Sequence, residues 1–135
     1  MFNADTISTL RRCLLGATGV LTLSYGVLAL AQNDPQPMSP WLPGAFGVGS
    51  AVLIGLSALI AGRKAAEIAT DESYVADRSR AAQIAFWIAL FLYPAFAVPL
   101  INGIVDWPAA FAAMGTFTGA SFLLLFVWFD LRGRG

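Results

Sequence analysis

The chain offers few residues that could carry out chemistry. It contains no histidine and a single cysteine, Cys13. The lack of histidine excludes bis-histidine haem, histidine-based zinc sites and the usual general bases. No nucleophile has a base beside it, and no glycine-rich phosphate loop follows the pattern of a soluble nucleotide-binding protein. We therefore predict that the protein is not an enzyme and that it uses no cofactor and no metal.

Two tyrosines inside apolar runs, Tyr25 and Tyr93, are the groups best suited to bind a small ligand. Tyr93 precedes Pro94, and a proline inside a helix leaves a backbone carbonyl free. A phenol in an apolar environment needs an acceptor, which could be a neighbouring helix or the carbonyl freed near Pro94. The alternative is that Tyr25, Tyr93 and Pro94 line a pocket for a lipid, a quinone or another solute.

These tyrosines lie on segments whose composition is typical of membrane proteins. Hydrophobic residues make up 58% of the 135 residues and charged residues 12%, against roughly 25% charged in an average soluble domain. Four uncharged runs approach or exceed the ~20 residues that a membrane-spanning helix needs. We predict one all-α membrane domain over residues 1–135, with transmembrane helices at residues 13–31, 44–62, 81–101 and 109–129.

The first apolar run also resembles a secretory signal, because it follows Arg11 and Arg12 and ends in Ala29-Leu30-Ala31. Its apolar length exceeds the roughly 7–15 residues that are usual in such signals. We expect this run to be retained as the first transmembrane helix.

The distribution of charge predicts the orientation. The net charge is zero, which gives no reason to expect a nucleic-acid partner. With four spans, all eight Lys and Arg residues fall on the side that holds both termini and the central connector, residues 63–80. The other two loops, residues 32–43 and 102–108, hold none. The positive-inside rule then predicts cytoplasmic termini in a bacterial inner membrane.

The central connector holds most of the remaining polar residues. Thr70 followed by two acids predicts a helix start with Thr70 as the N-cap, and that helix would continue into the third span. Asp77 and Arg80 are three residues apart and could pair. The connector is interpreted either as a self-neutralising solvated link or as a surface on which a partner docks. The docking residues would be Asp71, Glu72, Arg78 and Arg80.

This connector and the start of the third span carry a resemblance to a group of proteins. Asp71-Glu72, Arg80-Ala-Ala and Ala85-Phe86-Trp87 resemble the start of a helix in uncharacterised small four-helix prokaryotic integral membrane proteins. Ser73 stands where that group has arginine. The resemblance covers some 17 residues and implies the architecture alone, since the group has no assigned chemistry.

Small residues at a spacing of four predict helix-packing faces. They are Gly47, Ala51 and Gly55 in the second span and Gly115 and Gly119 in the fourth. Such residues let helix backbones approach closely, either within one chain or against another subunit.

The two halves of the chain share a pattern. Trp41-Leu-Pro-Gly-Ala-Phe46 resembles Trp107-Pro-Ala-Ala-Phe111, and each preceding span carries a tyrosine. The pattern is interpreted either as two tandem hairpins, which would form a parallel repeat about an axis along the membrane normal, or as a general preference for Trp and Pro where an outer turn enters a membrane helix.

These observations favour a non-catalytic small membrane protein. It would be an accessory or structural subunit acting through helix packing and its cytoplasmic connector, with the lipid bilayer and other membrane subunits, or copies of itself, as partners. The alternative is a small transporter or pore for a neutral or lipophilic solute. A polar path lined by Ser24, Tyr25, Tyr93, Asn102 or Thr116 would favour that alternative, and a dry, packed bundle would count against it.

Overall fold

The computed structural model describes residues 4–132, and the described chain is all-helical. It contains α1 (Ala4–Gln32), α2 (Trp41–Ala61), α3 (Arg63–Ala69), α4 (Glu72–Ile101) and α5 (Trp107–Arg132). Four of these helices, α1, α2, α4 and α5, are long and apolar enough to cross a membrane. The prediction of four apolar helices is confirmed. The helices α1 and α4 begin nine residues before the predicted spans, because polar residues continue each helix beyond its apolar part.

The helices α1 and α4 end in the same way. The residue that terminates each, Asn33 after α1 and Gly103 after α4, has a positive φ, 49° and 66° respectively. The following N–H donates to a carbonyl five residues back, from Asp34 to Ala29 (3.1 Å) and from Ile104 to Pro99 (2.9 Å). A left-handed residue with this hydrogen bond closes a helix and turns the chain sharply. The direction in which the chain leaves α1 and α4 is therefore fixed at the start of each following loop.

The connector between α2 and α4 is two helical pieces rather than one. Gly62 has φ 86° and ψ 163° and separates α2 from the short α3, a conformation that a residue with a Cβ rarely adopts. The predicted N-cap at Thr70 is wrong, because Thr70 ends α3 and its hydroxyl donates to the Ala66 carbonyl. Asp71 caps α4 instead, accepting the Tyr74 N–H at 3.0 Å. A carboxylate is the better acceptor at the positive start of a helix.

The long helices pack side by side in the order α2–α1–α5–α4. The most extensive contact joins α1 to α5, followed by α4 with α5 and α1 with α2, while α3 lies against α1 and α2. Within the described chain, α2 and α4 stand at the edges without an extended contact to each other. The main apolar core lies between α4 and α5, around Phe96, Ala110, Ala113 and Met114.

The internal repeat is not confirmed by this packing. A parallel repeat would pair α1 with α5 in the same way as α4 with α2. The helices α1 and α5 form the largest contact, whereas α4 and α2 form no extended contact. The first helices of the two hairpins, α1 and α4, end in the same way, but the two hairpins make different contacts with the rest of the chain.

The two ends of the molecule differ in charge. The charged end holds the start of α1, α3, the start of α4 and the end of α5, since Arg11 of α1 contacts both Ala69 and Asp130. The loop end holds residues 33–40 and 102–106, which touch through Asn33 and Asp106. All the cations of the described chain lie on helices at the charged end, and Arg134 lies outside the described residues.

Candidate functional site

The most organised polar site is a cluster at the charged end formed by Arg11, Arg12 and Asp130. Arg11 and Asp130 are buried, with 4% and 6% of their surfaces exposed. Residues 11 and 12 are about two turns from the start of α1, and residue 130 lies in the last turn of α5. The antiparallel contact of α1 with α5 brings the three side chains together.

The carboxylate of Asp130 accepts from both arginines. Arg12 donates from Nε at 2.6 Å, and Arg11 Nη2 lies 3.4 Å from each carboxylate oxygen. Arg11 Nη1 donates to the Ala69 carbonyl at 2.8 Å, and Arg12 Nη2 donates to the Asp130 carbonyl at 3.2 Å. The cluster therefore joins α1, α3 and α5 with charge-assisted hydrogen bonds, which are stronger than neutral ones.

Aromatic rings enclose the Arg11 guanidinium. Its central carbon lies 4.3 Å from the Tyr74 ring centroid and 5.6 Å from that of Phe126. The two rings meet edge to face at 5.4 Å. Arg11 Nε is buried and has no hydrogen-bond partner. The contact with Tyr74 adds α4 to the elements that the cluster holds, and cation–π attraction offsets part of the cost of burying the charge.

The chemistry available to this cluster is electrostatic. Two guanidinium groups face one carboxylate, so the cluster has a formal charge of +1. It holds no nucleophile; its hydrogen bonds fasten α1, α3 and α5 at one point, and its cation–π contact adds α4. The arrangement is suited to fixing helix positions and to presenting positive potential at the charged end.

Arg11 and Asp130 lie near the ends of their helices, yet both side chains are buried. Their burial follows from α3 and Tyr74, which cover the end of the α1–α5 pair. Two observations in the sequence pointed to such a pair: the double arginine near the start of one helix and a lone acid near the end of the last.

Tyr25, Tyr93 and Pro94 do not line one common groove among those described below, and a ligand pocket at any of them stays a prediction. Tyr25 is buried and its hydroxyl donates to the Pro35 carbonyl at 2.9 Å, so it fastens the loop after α1 to the helix. Tyr93 is 64% exposed and borders two grooves between α4 and α5, of about 200 and 340 Å³. Pro94 borders a third hollow on the outer face of α4. The acceptor for the Tyr25 hydroxyl is therefore a loop carbonyl. None of these three grooves is lined by both tyrosines.

The predicted small-residue faces lie mostly on open surfaces. A Cβ added at Gly47, Gly55 or Gly115 would have no atom within 4 Å, and Ala51 is exposed. Only Gly119 faces another helix, at 4.0 Å from the Thr22 methyl group. The residues on open surfaces therefore do not pack against another helix of this chain. Contact of these residues with another chain stays a prediction.

The glycines that do bring helices together are Gly19 and Gly26. A Cβ at Gly19 would lie 2.9 Å from Leu124, and one at Gly26 would lie 2.5 Å from Thr116 and 2.7 Å from Phe117. The two residues are seven apart, which is two helical turns on one face. The signal in the sequence is therefore a glycine spacing of seven residues, whereas the predicted packing faces have a spacing of four residues.

The residues predicted to dock a partner lie at the N-cap and on the first three turns of α4. Asp71 caps the helix and Glu72 is exposed. Arg80 does not pair with Asp77 but stacks on Phe129, 5.4 Å from its ring centroid. The ion pair that does form in the connector joins Arg63 to Glu67 within α3, at 2.9 Å. Arg78 is exposed at the rim of a groove between α1, α4 and α5.

The polar groups inside the helices are engaged rather than free. Thr18 and Ser50 share a hydrogen bond of 2.9 Å between α1 and α2. The remaining hydroxyls mostly donate to the carbonyl four residues back, including those of Ser24 and Thr116. Asn102 donates to Val98 in the same manner. The described helices therefore contain no continuous line of free polar groups.

At the loop end, Asn33 and Asp106 tie the two loops together. Asn33 Nδ2 donates to the Asp106 carboxylate at 3.0 Å, and the Asp106 N–H donates to Asn33 Oδ1 at 2.8 Å. Asn33→Gly keeps the positive φ and removes both bonds. We expect it to lower the free energy of unfolding by about 1 kcal/mol, measured by denaturant titration in detergent. Asn102→Ala, which loses a bond within its own helix, is the control. Equal changes in the two variants would contradict a role for the Asn33–Asp106 link.

The fold and site together define a class: an all-helical chain with four helices long and apolar enough to cross a membrane. In the described chain, no group of three or more His, Cys, Asp and Glu residues is placed to hold a metal. No protein-family model, curated protein or solved structure matches the chain. The resemblance of residues 71–87 to small four-helix prokaryotic membrane proteins stays an expectation.

Proposed function

We propose that this chain is a non-catalytic integral membrane protein that acts as an accessory or structural subunit. The observation that carries the proposal is the open small-residue face of α2, formed by the half-buried Gly47 and the exposed Ala51 and Gly55. The helix α2 lies at the edge of the row and packs on only one long helix. A face without bulky side chains allows a second helix to approach closely, which drives association in lipid.

The orientation belongs to the same proposal. The charged end faces the cytoplasm of a bacterial cell, and the loop end faces outward across the inner membrane. The support is the location of all the cations of the described chain on helices at one end, together with the positive-inside rule. The partner is another membrane subunit, or a second copy of this chain, that lays a helix along α2.

The alternative of a transporter or pore has weaker support. Its candidate lining residues are divided between buried and exposed positions, and the hydroxyls of Ser24, Tyr25 and Thr116 are already bonded to carbonyls. A solute that accepts hydrogen bonds along its path would find the protons of these hydroxyls already engaged. The accessory role needs only the open face that α2 already has.

The variant Gly47→Leu, combined with Gly55→Leu, tests the α2 face. In the wild type we expect a partner chain to copurify stoichiometrically from native membranes. In the variant, the ratio of that partner to this chain should fall at least about tenfold, because leucine side chains prevent close helix approach. Quantitative mass spectrometry of the affinity-purified complex measures the ratio. If the partner is a second copy, the same variants shift the chain from dimer to monomer in nanodiscs.

Gly49→Leu is the matched control. It adds the same side chain to the same helix, and Gly49 also has no atom within 4 Å of its Cβ position. It lies about 160° around the helix from Ala51, at 3.6 residues per turn. Loss of the partner in both variants, or a wild-type protein that is strictly monomeric with no copurifying chain, would overturn the proposal.

A further inference from the structure

A groove opens at the charged end, between α1, α4 and α5. Its volume is about 330 Å³, and it is lined by Leu15, Tyr74, Arg78, Phe122, Leu123 and Phe126. Three helices contribute to its walls, whereas the larger hollow around Trp87 and Phe91 lies on α4 alone. A groove shared by three helices keeps its shape when a ligand enters, as ligand sites usually do.

The apolar part of the groove lies beneath a basic rim. Phe122 is ten residues from the end of α5, or about 15 Å of helix, and Leu15 is four residues from Arg11, or about 6 Å. Arg78 is exposed, and no carboxylate of the described residues lies within ion-pair distance of it. The groove thus combines an unpaired cation with an apolar slot that reaches toward the middle of the helices.

The charge behind the groove wall has the same sign. Tyr74 and Phe126, which line the groove, are the rings that enclose the Arg11 guanidinium. Among the described residues, Arg11 and Arg12 share the one carboxylate of Asp130, so the cluster adds a formal charge of +1 behind that wall. The nearest acid along α4 is Asp77, which does not line the groove. An anion at the rim would meet Arg78 in front and the net positive cluster behind.

We propose that this groove binds one anionic phospholipid, with its phosphate at Arg78 and one acyl chain between Leu15, Phe122 and Leu123. A free phosphate would leave the apolar slot uncovered, and an uncharged lipid would make no use of Arg78. Basic grooves between membrane helices on the cytoplasmic side are suited to acidic headgroups. The site is separate from the small-residue face of α2, so either proposal can fail alone.

The test measures lipid selectivity in the full-length protein. Nanodiscs of phosphatidylcholine receive a trace of spin-labelled phosphatidylglycerol or spin-labelled phosphatidylcholine, and electron paramagnetic resonance gives the motionally restricted fraction of each. We expect a clear preference for phosphatidylglycerol in the wild type. Arg78→Gln should lower that preference about fivefold, the factor for one cation near an anionic lipid.

Lys64→Gln is the matched control, since it removes one cation from the same end at an exposed position outside the groove. Leu15→Phe fills the slot while Arg78 remains, and it should also lower the restricted fraction. Circular dichroism and thermal unfolding identify any variant that fails to fold; Arg78→Gln, at an exposed position, is expected to pass.

Three results would overturn the proposal. One is equal restriction of the two lipids in the wild type. Another is an equal effect of Lys64→Gln and Arg78→Gln, which would indicate attraction by the whole surface. The third is displacement of the lipid by inorganic phosphate at millimolar concentration with no effect of Leu15→Phe, which would indicate a site for the phosphate alone.

Discussion

Asp130→Asn is expected to lower the free energy of unfolding by about 3 kcal/mol, because breaking a buried ion pair leaves its partners uncompensated. The substitution leaves the guanidinium of Arg11, of which 4% is exposed, without a counter-charge. Arg12 is less affected, since 17% of its side chain is exposed and it can turn toward solvent. The measurement is equilibrium unfolding in detergent, followed by circular dichroism.

Glu67→Gln is the control for this prediction. It breaks the Arg63–Glu67 pair, whose side chains are 93% and 65% exposed. An exposed pair four residues apart in a helix contributes less than about 0.5 kcal/mol. Similar small losses in the two variants would show that the cluster is solvated and does not hold the charged end together.

Gly26→Ala is expected to destabilise the protein by about 2 kcal/mol, within the range for overpacking a close contact. The new methyl carbon would lie 2.5 Å from Thr116 Oγ1 and 2.7 Å from the Phe117 ring. The Thr116 hydroxyl is held by bonds to the Ala112 and Ala113 carbonyls, so it cannot turn away without losing them. The helices α1 and α5 would have to separate. Thermal unfolding in detergent measures the change.

Gly115→Ala is the comparison variant, for which we expect the change in stability to have the opposite sign to that of Gly26→Ala. Its added methyl group would meet nothing within 4 Å, and alanine is favoured over glycine inside a helix by up to about 1 kcal/mol. We expect equal or higher stability. Gly19→Ala should fall between the two, because its nearest neighbour is the end of the flexible Leu124 side chain. A different order among the three variants would refute this account of the α1–α5 contact.

The number and the approximate positions of the long helices could be predicted from the sequence. Long uncharged runs form helices because the backbone must satisfy its own hydrogen bonds in an apolar medium. Helix ends were less accurate, since polar residues extend α1 and α4 and a glycine with positive φ divides the connector. The prediction of Thr70 as an N-cap is wrong because the chain breaks between α3 and α4 at this point. Thr70 and Asp71 are both residue types that favour the N-cap, and Asp71 takes that position.

The site could not be predicted because it depends on which helices are neighbours. Arg11 and Asp130 are 119 residues apart, and their contact requires the α1–α5 pairing. The same limit applies to glycine. Gly47 and Gly26 occur in similar apolar surroundings in the sequence, yet one faces open space and the other faces Phe117. Hydropathy gives each helix its length, while the choice of partner is set by side-chain shape at the contact.

The pairing of the first long helix with the last has a consequence for biosynthesis. Because α1 contacts α5 more extensively than any other element, the nascent chain holds α1 and α2 without this partner until α5 has been synthesised. During that interval Arg11 and Arg12 lack the carboxylate of Asp130, and the surface around Gly19 and Gly26 is uncovered. A chain truncated before residue 107 would lack α5 and would leave this surface of α1 uncovered.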